Sequence, residues 1–296
     1  MTVDLAGARD FVATHGRLLD RRRLGLLLEE ADGAGVLAAL DGYRNTDGGY
    51  GWGLESDLRS PESQPAAALH AFEAMADAAP VTTPRAGELC DWLANVSLDD
   101  GGVPFALPIS QTAGCAPWWA GADASKSSLQ ITAVVAANAH RVAAHDATVA
   151  RHEWLRRATD YCLEAIAALE ADPHAYVLLF SVRLLDRVAS ADERAAQLLD
   201  GLRRYVPHDG RVHVDGGTEN EAMRPLDFAP QPGTPARALF KSDVIEEDLD
   251  DLAEEQQADG GWPYVAATFS PASALEWRSY VTIRAVSVLQ RNGRLA

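Results

Sequence analysis

Two carboxylates, Glu55 and Asp57, lie two residues apart between a glycine-rich turn at 48–53 and a helix expected to begin near residue 64. If they face a cavity, burial would raise the pKa of one carboxyl group, and the charge of its neighbour would raise it further. A carboxylic acid kept neutral in this way can donate a proton to a substrate. The alternative is that both are anions satisfying free N–H groups at the start of the helix. We take Asp57 and Glu55 as candidate catalytic acids.

Aromatic side chains are concentrated in the same kind of connection between helices. Their ring faces could stabilise a carbocation or line an apolar ligand site. Trp118 and Trp119 are adjacent in a long loop and have no evident role in a turn, so they are the first candidates for ligand contacts. The other candidate binding residues are Trp52, Phe105, Asp227, Phe228, Glu276 and Trp277. For Asp227 and Glu276 the alternative is a helix cap or a loop anchor.

An Asp-Gly phrase recurs along the chain at intervals of 53, 109 and 50 residues. The four copies are Asp47-Gly48-Gly49-Tyr50, Asp100-Gly101-Gly102-Val103, Asp209-Gly210-Arg211-Val212 and Asp259-Gly260-Gly261-Trp262. The intervals fit a repeat of just over fifty residues in which one copy has lost its turn. Repeats of that length are helical hairpins, which must stack or close into a ring to bury their apolar faces.

Hydrophobic periodicity predicts helices and almost no strands. The predicted helices lie near 4–19, 33–44, 64–77, 84–96, 127–144, 149–169, 173–189, 191–205, 243–257 and 274–291. The segment 127–144 is apolar on nearly all sides, as an inner helix would be, whereas 243–257 carries acids around a narrow apolar stripe, as an outer helix would. We therefore predict an all-α fold, with residues 1–296 as one α/α barrel (toroid) of about five to six hairpins.

Three long connections, 45–63, 98–126 and 207–242, are expected to meet at one rim of this barrel. Loops of such length in a compact domain are usually functional. The candidate acids and most of the candidate aromatic residues lie in these connections. The rim is therefore the predicted place for any chemistry.

Charge and composition exclude several classes of function. The chain has 26 Lys and Arg against 43 Asp and Glu, a net charge of -17, which argues against nucleic-acid partners. The basic run Arg21-Arg22-Arg23 is interpreted as a complement to a helix end. No apolar stretch is long enough to span a membrane, and the first residues do not resemble a leader, so a cytoplasmic protein is expected. Three cysteines, Cys90, Cys115 and Cys162, agree with a reducing compartment.

One turn resembles a known repeat. Gln256-Gln257-Ala258-Asp259-Gly260-Gly261-Trp262 is similar to the QW repeat of squalene–hopene cyclases, and Asn45-Thr46-Asp47-Gly48-Gly49-Tyr50-Gly51-Trp52 resembles a copy without the glutamine. The chain thus resembles the terpenoid cyclase and protein prenyltransferase superfamily, in particular short bacterial proteins named for prenyltransferase or squalene-oxidase repeats. The resemblance implies an α/α toroid around an apolar cavity, with Gln and Trp bracing the turn.

The resemblance also implies where an acid could act. Class II terpenoid cyclases protonate an alkene with an acid from a DxDD motif, and Asp248-Leu249-Asp250-Asp251 has that pattern, which makes Asp250 a third catalytic candidate. The alternative is a solvated face, since the string lies within a predicted acidic helix. The zinc motif of the protein prenyltransferases has no counterpart in this chain, so neither a metal nor another cofactor is expected.

The leading hypothesis is an enzyme that cyclises or isomerises an isoprenoid by carboxylic-acid protonation in an aromatic-lined cavity. If the substrate carries a diphosphate, Arg59, Arg224 and Arg278 are the expected rim cations. One alternative is a non-catalytic toroid that binds a hydrophobic ligand or a protein. Another is a carbohydrate-active α/α barrel, because such barrels also host hydrolases with paired carboxylates. The sequence leaves the oligomeric state open.

Overall fold

The chain folds into α-helices joined by several long connections, in a computed structural model that describes residues 3–295. The α-helices of this described part are α1 Leu5–His15, α2 Leu18–Leu27, α3 Gly33–Leu40, α4 Pro65–Asp77, α5 Arg85–Val96, α6 Pro117–Ala120, α7 Leu129–Ala143, α8 Ala147–Ala150, α9 Glu153–Ala167, α10 Ala175–Val188, α11 Glu193–Leu202, α12 Pro225–Phe228, α13 Ser242–Glu254 and α14 Pro271–Arg291. Short 3-10 helices cover Asp41–Tyr43, Arg203–Tyr205 and Pro235–Leu239. The prediction of an all-α fold is confirmed.

One small sheet accompanies the helices. Strand β1, Val212–His213, pairs antiparallel with β2, Ala222–Met223, so the segment between them forms a hairpin. This hairpin lies within the long connection 207–242 and precedes α12. It is a local feature of that connection, and its strand β2 packs against α10, with Met223 in the main core.

Helix starts follow the capping residues in the sequence. The side chain of Asp32 accepts a hydrogen bond from Gly35 N at the start of α3, and that of Ser128 accepts one from Ile131 N at the start of α7. Proline occupies the first turn of α4 and α14, where its missing N–H removes no helical hydrogen bond. These local preferences explain why the predicted boundaries of most helices agree with the structure.

The predicted helix near 4–19 ends earlier in the structure, at His15. The chain leaves helical geometry at Gly16 and begins a new helix, α2, at Leu18, where the Asp20 carboxylate accepts from Arg17 N (3.0 Å). Arg21-Arg22-Arg23 therefore lies inside α2, and Arg21 donates through Nε to Gly16 O (3.1 Å) at the C-terminal end of α1, as expected for a complement to a helix end. Arg23 donates to the Asp77 carboxylate of α4 (2.8 Å), so the basic run also joins α2 to α4.

Helix α7 lies at the centre of the helix packing. It contacts α4 on one side and α10 on the other, and it also packs against α9. Its residues 131–139 are all buried, as the all-round apolar pattern predicts. Helix α13 buries one narrow face, formed by Ile245, Asp248 and Leu249. Its remaining acidic side chains lie on the opposite, more exposed side. At the two ends of the chain, α1 and α2 both pack against α14.

The four Asp-Gly turns share one geometry, which confirms that the repeat is structural. In each turn the aspartate carboxylate accepts from the backbone N–H two residues later, at distances of 3.0–3.1 Å. The glycine between them has positive φ in every copy, from 70° at Gly210 to 94° at Gly48, a conformation that glycine adopts without strain. These turns fix how each following segment leaves the preceding helix.

The Gln and Trp of the last turn brace it. Gln256 donates to Gly260 O (2.9 Å) and Trp262 donates through Nε1 to Leu252 O (2.7 Å). Gln256 also accepts from Asp4 N and donates to Asp4 O, both at 2.8 Å, so this turn fastens the start of α1 to the C-terminal part of the chain. No helix within residues 3–295 is long and apolar enough to cross a membrane.

Candidate functional site

A cavity of about 900 Å³ opens among the helices and the three long connections. Its wall is formed by the 55–57 loop, α4, α7, α10, α14, the 214–224 segment and residues 262–267. Each of the three connections contributes to it: Asp57 comes from the first, Trp118 from the second and Glu221 from the third. The predicted meeting of these connections around one site is therefore observed.

Asp57 is a buried acid at the wall of this cavity, with only 4% of its surface exposed. Its Oδ2 accepts a hydrogen bond from Trp277 Nε1 (2.7 Å), whereas its Oδ1 is buried and has no hydrogen-bond partner in the described structure. Burial raises the pKa of Asp57 to about 6, and the nearby charge of Glu55 adds to the effect. Asp57 therefore carries a proton in mildly acidic solution, when ordinary aspartates are ionised.

Glu55 begins a chain of buried charged groups. Its Oε1 accepts from the backbone N–H of Asp57 (3.1 Å), and its Oε2 lies 3.1 Å from His70 Nε2. His70 Nδ1 lies 3.0 Å from a carboxylate oxygen of Glu73, and the other oxygen of Glu73 accepts from the hydroxyl of Tyr280 (2.9 Å). One imidazole thus bridges two buried carboxylates.

The histidine in this chain is a cation at neutral pH. Burial alone would lower the pKa of His70, but hydrogen bonds and charge from Glu55 and Glu73 raise it to about 9. Burial would raise the pKa of Glu73, but His70 holds it well below its usual range, helped by Arg23 and Arg141. The chain is therefore a fixed ionic support next to Asp57, and Asp57 is the neighbouring group that can change its charge near neutral pH.

Aromatic rings cover much of the remaining wall. Trp277 stacks on Tyr264 (centroids 5.0 Å apart, planes at 5°) and meets the ring of Tyr280 edge-on at 5.5 Å. Phe105 stacks on Trp119 at 4.8 Å. All five residues line the cavity. The indole that fixes Asp57 is therefore part of a cluster of three aromatic rings in the cavity wall.

A basic group lies further along α10 and α14. Arg183 and Arg284 both line the cavity, and both contact Asp227: Arg183 Nε donates to its backbone oxygen (2.9 Å), and Arg284 pairs with its carboxylate. Asp227 also accepts from Arg224 N (2.6 Å), and its pKa is lowered, because the arginines outweigh its burial. Asp227 therefore holds Arg183 and Arg284 next to each other.

No protein-family model matches the chain, and no curated protein matches it. Within residues 3–295, no group of three or more His, Cys, Asp and Glu side chains is placed to hold a metal ion.

The structure brings together seven of the candidate residues. The seven that line the cavity are Glu55, Asp57, Phe105, Trp118, Trp119, Asp227 and Trp277. Trp118 packs edge-on against Phe269 and is about half exposed, so it lies at the cavity opening. The adjacent Trp119 is buried behind it. The pair therefore extends from the opening into the wall.

Four candidates are placed elsewhere and are corrected here. Trp52 is 59% exposed, and its indole donates to Asn45 Oδ1 (2.7 Å), so it braces the first turn outside the cavity. Phe228 is fully buried in the core against Phe240. Glu276 pairs with Arg59 (2.8 Å) and does not line the cavity, although its charge also raises the pKa of Asp57. Asp250 pairs with Arg294 (2.8 Å) on the exposed face of α13.

The expected rim cations are all neutralised by carboxylates. Arg59 pairs with Glu276 (2.8 Å), and Arg278 pairs with Asp259 (2.8 Å). Arg224 lines the cavity but pairs with Asp248 (2.6 Å) and with Glu255 (2.5 Å). These arginines hold turns and helices in place, and carboxylates of the protein already neutralise their positive charge.

Sequence reasoning missed His70, Glu73, Tyr280, Arg183 and Arg284. Spacing alone could have paired some of them, since residues three apart on a helix share a face, as His70 and Glu73 do on α4. Trp277, Tyr280 and Arg284 follow the same rule along α14, at intervals of three and four residues. This face of α14 lies across the cavity from α4 and α10. The spacing of residues within one helix does not predict that arrangement.

Proposed function

We propose that the protein is a terpenoid cyclase-like enzyme in which Asp57 protonates a carbon–carbon double bond of an isoprenoid. The observation that carries the proposal is the state of Asp57: a buried cavity acid with one oxygen fixed by Trp277, the other unpartnered, and a pKa near 6. A general acid works best when its pKa lies near the working pH. The aromatic wall and the resemblance to the QW repeat favour an isoprenoid substrate.

The proposed fold for this function is an α/α toroid. Its support is the order of helix contacts: α4, α7 and α10 pack successively, and α14 packs against α1 and α2, so the ends of the chain meet. An inner set of α4, α7, α10 and α14 would then surround the cavity, to which all four contribute side chains. The connections that carry Asp57 and Trp118 would lie at one rim.

The proposed reaction is balanced without a cofactor. The proton leaves the Asp57 carboxyl group, the electron pair of the double bond forms the new C–H bond, and the adjacent carbon becomes a cation. Rings such as Trp277, Tyr264 and Tyr280 attract a cation through their faces. Attack by a second double bond followed by loss of a proton to water gives a cyclic product, and loss of a proton to water without that attack gives an isomer. The hydronium ion formed in either case returns a proton to Asp57.

Incubation in deuterium oxide tests this proposal. Wild-type protein is incubated with farnesyl, geranylgeranyl and squalene-type substrates, and the products are analysed by mass spectrometry. We expect one substrate to give a product with a single deuterium on carbon and the Asp57→Asn variant to give none. Recovery of every substrate unchanged, although the wild type binds one of them, would support a non-catalytic hydrophobic-ligand toroid instead.

Carbohydrate hydrolysis is the second candidate, and the number of carboxylates in the cavity favours it. Besides Asp57, the lining includes Glu55, Glu73, Glu221, Asp227 and Asp248. Glycoside hydrolases use one protonated and one ionised carboxyl group, and Asp57 could supply the first. Release of reducing sugar from a panel of oligosaccharides, lost in Asp57→Asn, would establish this function in place of the first.

A further inference from the structure

Arg183 differs from the other arginines that line the cavity. Its Nε donates to Asp227 O (2.9 Å), but its two terminal nitrogens make no hydrogen bond and no ion pair within residues 3–295. Neither terminal nitrogen of Arg183 belongs to the fully buried side-chain atoms that lack a hydrogen-bond partner. Both nitrogens therefore have some exposed surface. Both therefore remain available on the cavity side of α10, where Arg183 is part of the lining.

The charge around Arg183 is incomplete. Arg284 pairs with the Asp227 carboxylate, whereas Arg183 donates only to the Asp227 backbone oxygen, so the group carries one positive charge in excess. The nearby Glu73 carboxylate is already engaged by His70 and Tyr280. Burial lowers the pKa of Arg183, and repulsion from Arg284 adds to the effect, as expected for a cation without a full counter-charge. A guanidinium with two free parallel N–H groups fits an oxyanion.

The position of this group relative to Asp57 follows from α14. Trp277, which donates to Asp57, precedes Arg284 by seven residues, and both line the cavity from one face of the helix. Seven residues of α-helix span about 10 Å. The acid and the basic group thus occupy two separate parts of one cavity, with the rings of Trp277 and Tyr280 between them.

We infer that Arg183, supported by Arg284, binds an oxyanion carried by the substrate, in a part of the cavity two helical turns along α14 from Trp277, the hydrogen-bond partner of Asp57. The inference rests on the proposed function and narrows its substrate class to isoprenoids that end in a carboxylate or a phosphate. Such an end would hold the chain in one direction, so that a distant double bond meets the acid. The oxyanion and the reacting double bond would then be at opposite ends of the bound chain.

Binding measurements with matched probes test the inference. Dissociation constants for farnesoate, farnesyl phosphate and the neutral farnesol are measured by calorimetry on the wild type and on Arg183→Gln. We expect one of the two anions to bind the wild type at least about tenfold more tightly than farnesol, and Arg183→Gln to weaken that anion by about 10- to 100-fold. The affinity for farnesol stays within about threefold, since it has no charge to lose.

Two further variants test whether the effect is specific to the Arg183 guanidinium. Arg187→Gln removes an arginine one turn further along α10 that does not line the cavity, and it should leave all three constants unchanged. Arg183→Lys keeps the charge but loses the paired donors, so an intermediate affinity is expected.

The outcomes distinguish this inference from the proposed function. Equal affinity for farnesol and both anions, or equal weakening of all three by Arg183→Gln, would overturn the oxyanion site while leaving the isoprenoid cavity in place. Failure of all three probes to bind would overturn both. Preference for farnesoate over farnesyl phosphate, or the reverse, would identify which oxyanion the site takes.

Discussion

Asp57 and Asp248 are both buried aspartates at the wall of one cavity, but they are held in different ways. Both oxygens of Asp248 are engaged: Oδ1 accepts from Arg224 Nε (2.6 Å) and Oδ2 from Leu226 N (2.8 Å). Within residues 3–295, Asp57 Oδ2 accepts from Trp277 Nε1 and Oδ1 has no hydrogen-bond partner. Burial raises the pKa of both groups, but only Asp248 has an arginine that opposes the shift.

This difference shows that the hydrogen-bond donors around an acid, and not the sequence motif that contains it, determine whether the acid can transfer a proton. Asp248 belongs to a DxDD string, yet its partners make it an anchor between α13 and α12. Asp57 belongs to no recognised catalytic string, yet its surroundings keep a proton available. The three other members of the string support this view, because Leu249 is buried in the core and Asp250 and Asp251 pair with surface arginines.

The largest expected effect is on catalysis. Asp57→Asn keeps the shape and the acceptor for Trp277 but removes the transferable proton, so turnover should fall by about 10²- to 10⁴-fold. Single-turnover assays with the substrate found in the deuterium experiment measure it. Asp250→Asn is the matched control on the exposed face of α13 and should leave turnover unchanged. A loss of less than tenfold in Asp57→Asn would remove Asp57 from its role as the acid.

The second prediction concerns stability and involves the other aspartate. Asp248→Asn leaves Arg224 with Glu255 as its remaining close carboxylate partner. We expect the free energy of unfolding to fall by about 3 kcal/mol, the lower end of the cost of breaking a buried pair. Urea denaturation at pH 7 measures the change. A variant as stable as the wild type would show that the ion pair is not an anchor, and the contrast with Asp57 would then fail.

The helices and turns were largely accessible from the sequence because their causes are local. The all-round apolar pattern of 131–139 identifies α7 as buried, and the Asp-Gly turns follow from one carboxylate and one glycine in each copy. The break at Gly16 was missed because the apolar pattern continues past it into α2. The hydrophobic pattern of the sequence thus predicts where most helices lie, but not every residue at which a helix begins or ends.

The site was only partly accessible because its contacts join distant parts of the chain. Trp277 and Asp57 are separated by 220 residues, and Tyr280 and Glu73 by 207. Asp57 was found through its position between a glycine turn and a helix start. Which donors would surround it, and that Trp52 would face outward while Trp277 faced inward, depended on packing that a single sequence does not specify.

The third prediction uses Asp57→Asn again, now as a stability probe. Because the folded state holds the pKa of Asp57 at about 6 and the unfolded value is 3.8, the ionised group costs stability above pH 6 and costs none below about pH 3.8. The variant should therefore be more stable than the wild type by about 1–3 kcal/mol at pH 8. Denaturation at pH 8 and pH 4 measures it, and the gain should vanish at pH 4. A gain of equal size at both values would contradict the raised pKa.

The smallest expected effect is a shift in the pH profile. Since the protonated form of Asp57 is the acid, the rate should be constant below pH 6 and fall about tenfold per pH unit above it. Glu55 raises the pKa of Asp57 through its charge, so Glu55→Gln should move this fall to lower pH, by up to about one unit. Glu88→Gln, a surface change in α5, is the control and should leave the profile in place. If the fall in rate moved to higher pH in Glu55→Gln, the prediction would be contradicted. Glu55 would then affect the pKa of Asp57 mainly by keeping His70 protonated, and not through its own negative charge.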